Sequence, residues 1–508
     1  MGTATTPTKR WYHWYSPDDT PEERKLVLKL DLLIVPYAFI VYWVKYIDQG
    51  NISKSITRSY HNLVLIAPFS DNAYLSGMAE DLGFHGNELI HFQTIFTVGN
   101  VVALLPFMYL FPRVPMHYLV PTLDLLWGIF TLLQYRATSY AEIMAYRFLV
   151  SIFEASYFPG VHYVLGSWYK SNEIGRRGGA FYIGLTLGFL TASLLQSATL
   201  DYLDGVNGLP GWRWLFIINA IITMPLAIIG YFIYPGTIDK PNRLFFSQKD
   251  LDIARKRLEK QGTQVKSAAF SWGLAKRLFL SKRFWLVLIW DSFFFNSSAS
   301  TASFLLWLKS LHRYSSATQN ELNSISPALG IFFILFINIS TDLWLDRAWA
   351  ITLASSINFT GLVILSIWEV PERAKWFAYS VQYSAVAVSS VLYGWVNVLY
   401  RDNIEERAIV LVLATAISTM WTCWIPLFTY PTVDGPRFIK GYPFSAVMTV
   451  CLVAMTFVIR YFYGPNGEKS IKHVNDRDGS EDESTDTIGG STTEGAKKNQ
   501  ISVAGTSL

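Results

Sequence analysis

The chain is poor in cysteine and in charge. Only two cysteines, Cys423 and Cys451, occur in 508 residues, both inside apolar stretches. That excludes a disulfide framework and a cysteine-rich metal site. Charged residues make up 16% of the chain, against about 25% in soluble proteins. A soluble chain of this length would need several domains with polar surfaces, and there are too few charges to cover them. The net charge is only +4. No long Lys/Arg run with interleaved aromatics stands outside the loops, so nucleic acid is not an expected partner. A P-loop is absent, which excludes ATP as the driving force. The G-x-S-x-G and H-E-x-x-H motifs are absent too, so no catalytic residue, metal or cofactor is expected. The N-terminus does not read as a cleavable signal. Pro17 to Lys25 is charged, and the first apolar run is a full span.

What the chain has in quantity is apolar and aromatic surface. It is 51% hydrophobic, with 18 Trp and 28 Tyr, and its mean hydropathy is +0.26. Trp and Tyr gather at membrane interfaces because one end of the ring is apolar and the other is wet. Apolar runs of about 20 residues, long enough to cross a bilayer, recur along the chain. They lie near 27–48, 88–111, 116–134, 140–168, 178–199 and 212–234, then near 283–308, 324–345, 348–368, 375–400, 406–430 and 441–463. The pattern predicts an all-α membrane protein of twelve transmembrane helices in two six-helix halves, 27–234 and 283–463. The first 26 residues precede them. Residues 235–282, polar and basic, separate the halves, and Gln248–Gln261 has the apolar spacing of a surface helix. The tail 464–508 is rich in Ser, Thr, Gly, Asp and Glu, a composition that predicts disorder. Lys and Arg concentrate in alternate loops, which places the central loop and both termini in the cytoplasm.

An ionisable side chain deep in a span is costly, so it is a functional candidate. The fourth span carries Arg147 and Glu154, two helical turns and about 10 Å apart on one face. Arg147 offers a planar fork to a substrate carboxylate, and Glu154 can exchange a proton. A structural Arg–Glu pair between helices is the plainer alternative. His162 follows on the same span, as a substrate contact or a packed hydrogen-bonder. Asp124 in the third span is a second acid for proton coupling. Asp291, Asn296 and Asn397 are substrate-binding candidates from the second half, with interhelical hydrogen bonding as the alternative. A faint repeat links the loops after spans four and ten. Glu173, Arg176 and Arg177 stand in the first, and Glu406 and Arg407 in the second. Acid before base at equivalent places suggests a cytoplasmic gate; ordinary solvated loop charge would look the same.

Several stretches go further. Asn72–Met78, Arg147–Glu154, Gly160 through Gly166-Ser167-Trp168-Tyr169, Leu203–Phe216, and Trp395-Val396-Asn397 followed by Asp402 and Glu406-Arg407-Ala408 resemble the fungal allantoate permease group. That group lies in the anion:cation symporter family of the major facilitator superfamily. The resemblance runs from about Tyr42 to Tyr463 and is strongest to pantothenate transporters. It implies a proton-coupled importer of a small organic anion, a vitamin-like carboxylate such as pantothenate, at the fungal plasma membrane. Its partners would be that anion, a proton and the lipid bilayer, and a monomer is expected. Allantoate, biotin and nicotinate are alternative substrates, and a non-transporting membrane nutrient sensor is the alternative function. Some positions depart from the group. Asn219 stands where many members have an acid, Gln49 where Arg is frequent, and Asp124 where Glu is common.

Residues 53–71 break the resemblance. The group runs from an Asp-x-x-Asn-Ile pattern straight into Asn-Ala-Tyr. Here Asp48–Ile52 and Asn72–Tyr74 are separated by an insert holding the apolar run Leu63–Phe69. That run is too short to span a bilayer. Codons for Ser53–Ser55 can hold a splice donor, and codons for Pro68–Asp71 an acceptor. Excision would leave Gly-Asn-Ile-Asn-Asn-Ala-Tyr and bring the loop toward the usual connection length. The segment is therefore expected to be a retained intron. The alternative is a true insertion over the outer cavity, with Asn51-Ile52-Ser53 as a glycosylation acceptor. Sequencing the mature transcript decides: a shorter spliced form is expected, and a message that always keeps these codons refutes the intron.

Overall fold

In the computed structural model the described residues are 15, 19–51, 78, 81–82, 88–260, 272–314, 318, 322–431 and 434–464. The segment 53–71 and nearly all of the tail 464–508 lie outside them. A bilayer offers no water to backbone N–H and C=O groups, so a spanning segment must bond to itself as a helix. The first half is α1 (Pro21–Asn51), α2 (Glu88–Arg113), α3 (Met116–Leu133), α4 (Tyr140–Glu154), α5 (Tyr157–Trp168), α6 (Ile174–Tyr202) and α7 (Gly211–Ile233). Two short helices, α8 (Gln248–Glu259) and α9 (Trp272–Leu280), occupy the central segment. The second half is α10 (Lys282–Ser297), α11 (Ser303–Ser310), α12 (Ile325–Leu343), α13 (Arg347–Ile367), α14 (Glu372–Val381), α15 (Val388–Leu399), α16 (Ile404–Thr429) and α17 (Gly441–Tyr463). Among the described residues, 9 helices are long and apolar enough to cross a membrane, with α4 and α5 counted as one. The long α6 and the broken pairs α10–α11 and α14–α15 complete twelve spans.

Three spans are interrupted, each for a readable reason. Span four breaks between α4 and α5 at Ala155–Ser156. Pro159 lacks an N–H and its ring crowds the carbonyl four residues back, that of Ala155. Span seven breaks within Asn296–Ser303. There the hydroxyls of Ser297, Ser298, Thr301 and Ser303 donate to carbonyls three residues earlier. Such local bonds compete with the helical ladder. Span ten slackens at 382–387, where Ala385, Val386 and Ala387 bond back three residues rather than four. Its Ser384 hydroxyl donates to the Ala354 carbonyl of α13 at 3.2 Å.

The expected surface helix forms as α8, starting at the expected Gln248 and ending at Glu259, two residues before the expected end. Ser247 starts it with a reciprocal cap. Its hydroxyl accepts from the Asp250 N–H, and the Asp250 carboxylate accepts from the Ser247 N–H. Buried Arg257 then donates to buried Glu173 in the loop after α5. Lys29 reaches Asp250 at 2.9 Å. The helix is thus fastened to the first half, and it marks one end of the bundle, the central-loop face.

Inside the first half, α1 and α6 meet at two glycines one turn apart. A Cβ on Gly184 would lie 2.8 Å from both the Phe39 carbonyl oxygen and the Trp43 nitrogen. On Gly188 it would lie 2.4 Å from the Tyr46 Cβ. The blocking atoms at Gly184 are backbone and cannot swing aside. This is the small-residue packing that lets membrane helices approach closely. Gly184→Ala should therefore cost about 1–3 kcal/mol by overpacking and lower the melting temperature in detergent. An unchanged melting temperature would mean that the two helices are not in backbone contact.

Candidate functional site

One face of α1 carries Lys45, Asp48 and Gln49, which meet the residues of α4. Positions three and four apart share a helix face. The Lys45 Nζ lies 3.6 Å from Glu154 Oε1 and donates to the Glu154 carbonyl at 3.3 Å. Gln49 donates to the same Oε1 at 2.6 Å. The Arg147 guanidinium stands 4.2 Å above the Phe96 ring, a cation–π contact, and within the fields of Asp48 and Glu154. Lys45 is 5% exposed, Arg147 2%, Glu154 1% and Asp48 0%, so the cluster is closed to water. The Lys45–Glu154 ion pair and the hydrogen bonds to Glu154 and Asp48 offset part of the cost of burying these groups together.

Asp48 is held by three neutral donors. Trp127 Nε1 bonds it at 2.8 Å, the Thr131 hydroxyl at 3.0 Å and Asn219 Nδ2 at 3.2 Å. This explains the amide at Asn219. An acid there would set a second carboxylate against Asp48, whereas the amide donates to it. Asp124, on α3, accepts from the Tyr37 hydroxyl at 3.0 Å and lies within the fields of Lys45 and Glu154.

Sequence reasoning placed Arg147 as the lone cation well inside the first half's spans and did not single out Lys45 or Asp48. Lys45 lies three residues from the assigned end of its span, where a lysine ordinarily snorkels to the interface. The available signal was its spacing. Lys45, Asp48 and Gln49 form a polar stripe that follows the apolar run Leu32–Val44 of the same helix.

The second-half candidates do not join this cluster. Asp291 accepts from the Tyr393 hydroxyl at 3.1 Å and from the Ser418 hydroxyl at 2.5 Å. Asn296 donates to the Ser292 carbonyl of its own helix at 2.8 Å. Asn397 likewise donates to the Tyr393 carbonyl at 3.1 Å, and its side chain fills the space over Gly166. His162 sits where the halves meet. Its ring packs on Phe158 at 4.8 Å, Phe181 at 5.3 Å and, across the boundary, Tyr393 at 5.3 Å. It is fully buried, and neither ring nitrogen has a hydrogen-bond partner among the described residues.

The five gate candidates separate into three groups. Arg176 does cross between halves. Its backbone N–H and Nε reach Asp342 Oδ2 at 2.7 and 3.1 Å, all buried. Arg407 crosses in the other direction and donates to the Gly166 carbonyl at 2.9 Å. Arg177 stays in its own half, where it grips Asp31 with two bonds of 2.7 Å. The acids do not cross. Glu173 is taken by Arg257 of α8, and Glu406 by Arg283 of α10 at 3.2 Å. The acid that completes the latch is instead Asp342, in the loop end of span eight, which the repeat did not reveal. Arg347, just after it, donates across to the Ser171 carbonyl. Ser390 adds a bond to the Gly178 carbonyl at 3.2 Å. These contacts lie at the central-loop face, which is therefore shut.

The two halves are joined at the central-loop face by the contacts of Arg176, Arg407 and Ser390, and a buried acid lies beside two buried cations within the first half. A model of the Major Facilitator Superfamily matches residues 69–426. The Vitamin H transporter of Saccharomyces cerevisiae is 37% identical over 473 residues, 91% of this chain and 77% of that protein. The Pantothenate transporter liz1 of Schizosaccharomyces pombe is 33% identical over 423 residues, 82% of this chain and 78% of that one. Among solved structures, the proton:xylose symporter XylE aligns with a TM-score of 0.62 over 88% of this chain and 99% of its own, at 12% identity. That last likeness concerns the fold alone. The chain belongs to the Major Facilitator Superfamily and is a multi-pass membrane transporter, not an enzyme.

Proposed function

We propose that the protein imports a small vitamin-like carboxylate together with a proton across the plasma membrane. The observation that carries this is the buried cluster of Glu154 with Lys45 and Arg147. An acid that can be neutralised stands beside two fixed cations, which is what coupling an anion to a proton requires. Named relatives support a vitamin as cargo. Vitamin H and pantothenate each bear one carboxylate at neutral pH. Pantothenate remains the first expectation, and the 37% identity to the Vitamin H transporter favours biotin as the second. The basic central segment argues for a cytoplasmic central-loop face, so the shut face would be the inner gate. In this reading, substrate and proton enter from outside and leave when the Arg176–Asp342 latch opens. His162, Asp291, Asn296 and Asn397 then line the boundary that the substrate passes, and Asp124 is a reserve proton site.

Uptake of labelled pantothenate, biotin, nicotinate and allantoate in a transport-deficient yeast tests the function. One of the vitamins should accumulate above its external concentration and leak out when a protonophore is added. Binding without uptake would mark a sensor instead. Glu154→Gln should abolish accumulation yet keep exchange; concentrative uptake by that variant refutes the coupling role. The gate is tested by Asp342→Ala. It leaves Arg176 buried without its counter-ion, at a cost of about 3–5 kcal/mol. In a chain carrying Ser390→Cys with Cys423→Ser and Cys451→Ser, labelling from the cytoplasmic side should rise several-fold. Unchanged labelling would show that the latch does not hold that face shut.

A further inference from the structure

The contacts around Lys45 say more than that a cation is present. Glu154 Oε1 receives both Lys45 and Gln49, while its second oxygen, Oε2, is buried without a hydrogen-bond partner among the described residues. Lys45 makes no other ion pair there. It also touches the Glu154 carbonyl and the Tyr42 ring at 6.0 Å, and it lies within the field of Asp124. Arg147 is differently placed: Asp48 acts on it ahead of Glu154, whereas for Lys45 Glu154 comes ahead of Asp124. The other polar groups around the pair are Asp48 and Tyr46 on α1 and Asp124 on α3. Asp48 keeps its three neutral donors and Asp124 its Tyr37 hydroxyl in either state of Glu154. The helices packed on α1 from the other side, α6 and α7, bring Thr191 and Asn219, which carry no charge.

We propose that Lys45 is the cation that binds the substrate carboxylate, and that Glu154 occupies it only until a proton neutralises the acid. The inference rests on the proposed function and deepens it. With Glu154 ionised, Lys45 has its counter-ion and an incoming carboxylate is repelled. A proton on Glu154 takes away the ion-pair partner of Lys45 and leaves it only the weaker field of Asp124, which is unfavourable for a buried charge. A substrate carboxylate restores neutrality. One proton therefore enters with one carboxylate because each removes the charge that the other would leave. By linkage the coupling is reciprocal: bound anion holds the proton, and proton loss at the opposite face expels the anion. Gln49, which donates to Glu154 without charge, holds the carboxyl in place in both states.

The test uses the full chain in proteoliposomes, with labelled biotin and labelled pantothenate as probes, and the corresponding uncharged amides as competitors. Wild type should bind its vitamin up to about tenfold more weakly per pH unit as the pH rises through the titration of Glu154, the limit for one linked proton. Glu154→Gln, a permanent mimic of the neutral acid, should bind with an affinity that changes less than about twofold from pH 5.5 to 7.5, a span over which one linked proton could otherwise act. Lys45→Gln should lose most of the preference for the acid over the amide, and Lys45→Arg should recover it. The Lys45→Gln/Glu154→Gln double variant guards against misfolding. It removes both charges together, and it should be stable yet still fail to prefer the acid. Wild-type affinity and acid preference in Lys45→Gln, or a full pH slope in Glu154→Gln, overturns the proposal while leaving vitamin transport intact. Failure of the wild type to take up either vitamin overturns the proposed function, and this inference with it.

Discussion

A peptide group inside a bilayer must find its hydrogen bond within the protein, and most of this structure follows from that demand. It turns every crossing segment into a helix. It also makes each interruption informative, since unwound backbone is tolerated only where protein or a cavity covers it. Span four is interrupted one residue after Glu154, where Pro159 removes the N–H that Ala155 would have bonded. Spans seven and ten are interrupted within Asn296–Ser303 and at 382–387. The breaks thus fall beside the acid of the charged cluster in one half and beside buried amides and hydroxyls in the other. Polar side chains and loosened backbone occupy the same depth because each is expensive next to lipid and each can be satisfied inside the bundle.

The halves repeat each other more closely than their loop charges suggest. Tyr169-Lys170-Ser171-Asn172 after span four matches Tyr400-Arg401-Asp402-Asn403 after span ten. Counting back from the two tyrosines pairs Gly166 with Asn397 and His162 with Tyr393. These matched residues face each other across the boundary: Asn397 lies over Gly166, and the His162 and Tyr393 rings are 5.3 Å apart. A two-fold relation between the halves brings equivalent positions of spans four and ten together where they cross. Each half also braces that loop with an arginine on a tyrosine face, Arg177 over Tyr169 at 4.5 Å and Arg283 over Tyr400 at 4.0 Å. The sense is reversed. Arg177 lies on span five and its acid Asp31 on span one, whereas Arg283 lies on span seven and Glu406 on span eleven.

Element number, length and order were legible because a bilayer imposes one length on every apolar run. The family was legible in short stretches such as Arg147–Glu154. The capped helix after Ser247 was visible in its spacing. Pairing was not. Glu173, Arg176 and Arg177 stand within five residues of each other, yet their partners are Arg257, Asp342 and Asp31. Those partners come from the central segment, the second half and the first helix, and nothing local in the chain sets which arginine turns which way. Lys45 was missed for a related reason. Hydropathy marks where a span ends, but only packing of α1 on α4 decides that its ammonium points inward to Glu154 rather than out to the interface.

The charged cluster and the latch share a mechanical element. Helix α1 carries Lys45 near one end and Asp31 near the other. Asp31 is bonded to Arg177 and to the Tyr169 hydroxyl, at the start of α6 and just after α5. Helix α6 lies against α1 through Gly184 and Gly188, where backbone meets backbone and leaves no slack. The residue beside Arg177 is Arg176, whose bonds to Asp342 hold the halves together. Close-packed helices move as bodies and do not bend gradually. A shift of α1 relative to α4 at Lys45 and Glu154 must therefore carry α6 with it, and with α6 the arginine that locks the opposite half. The Lys45–Glu154 ion pair and the Arg176–Asp342 ion pair are thus at two ends of one rigid pair of helices.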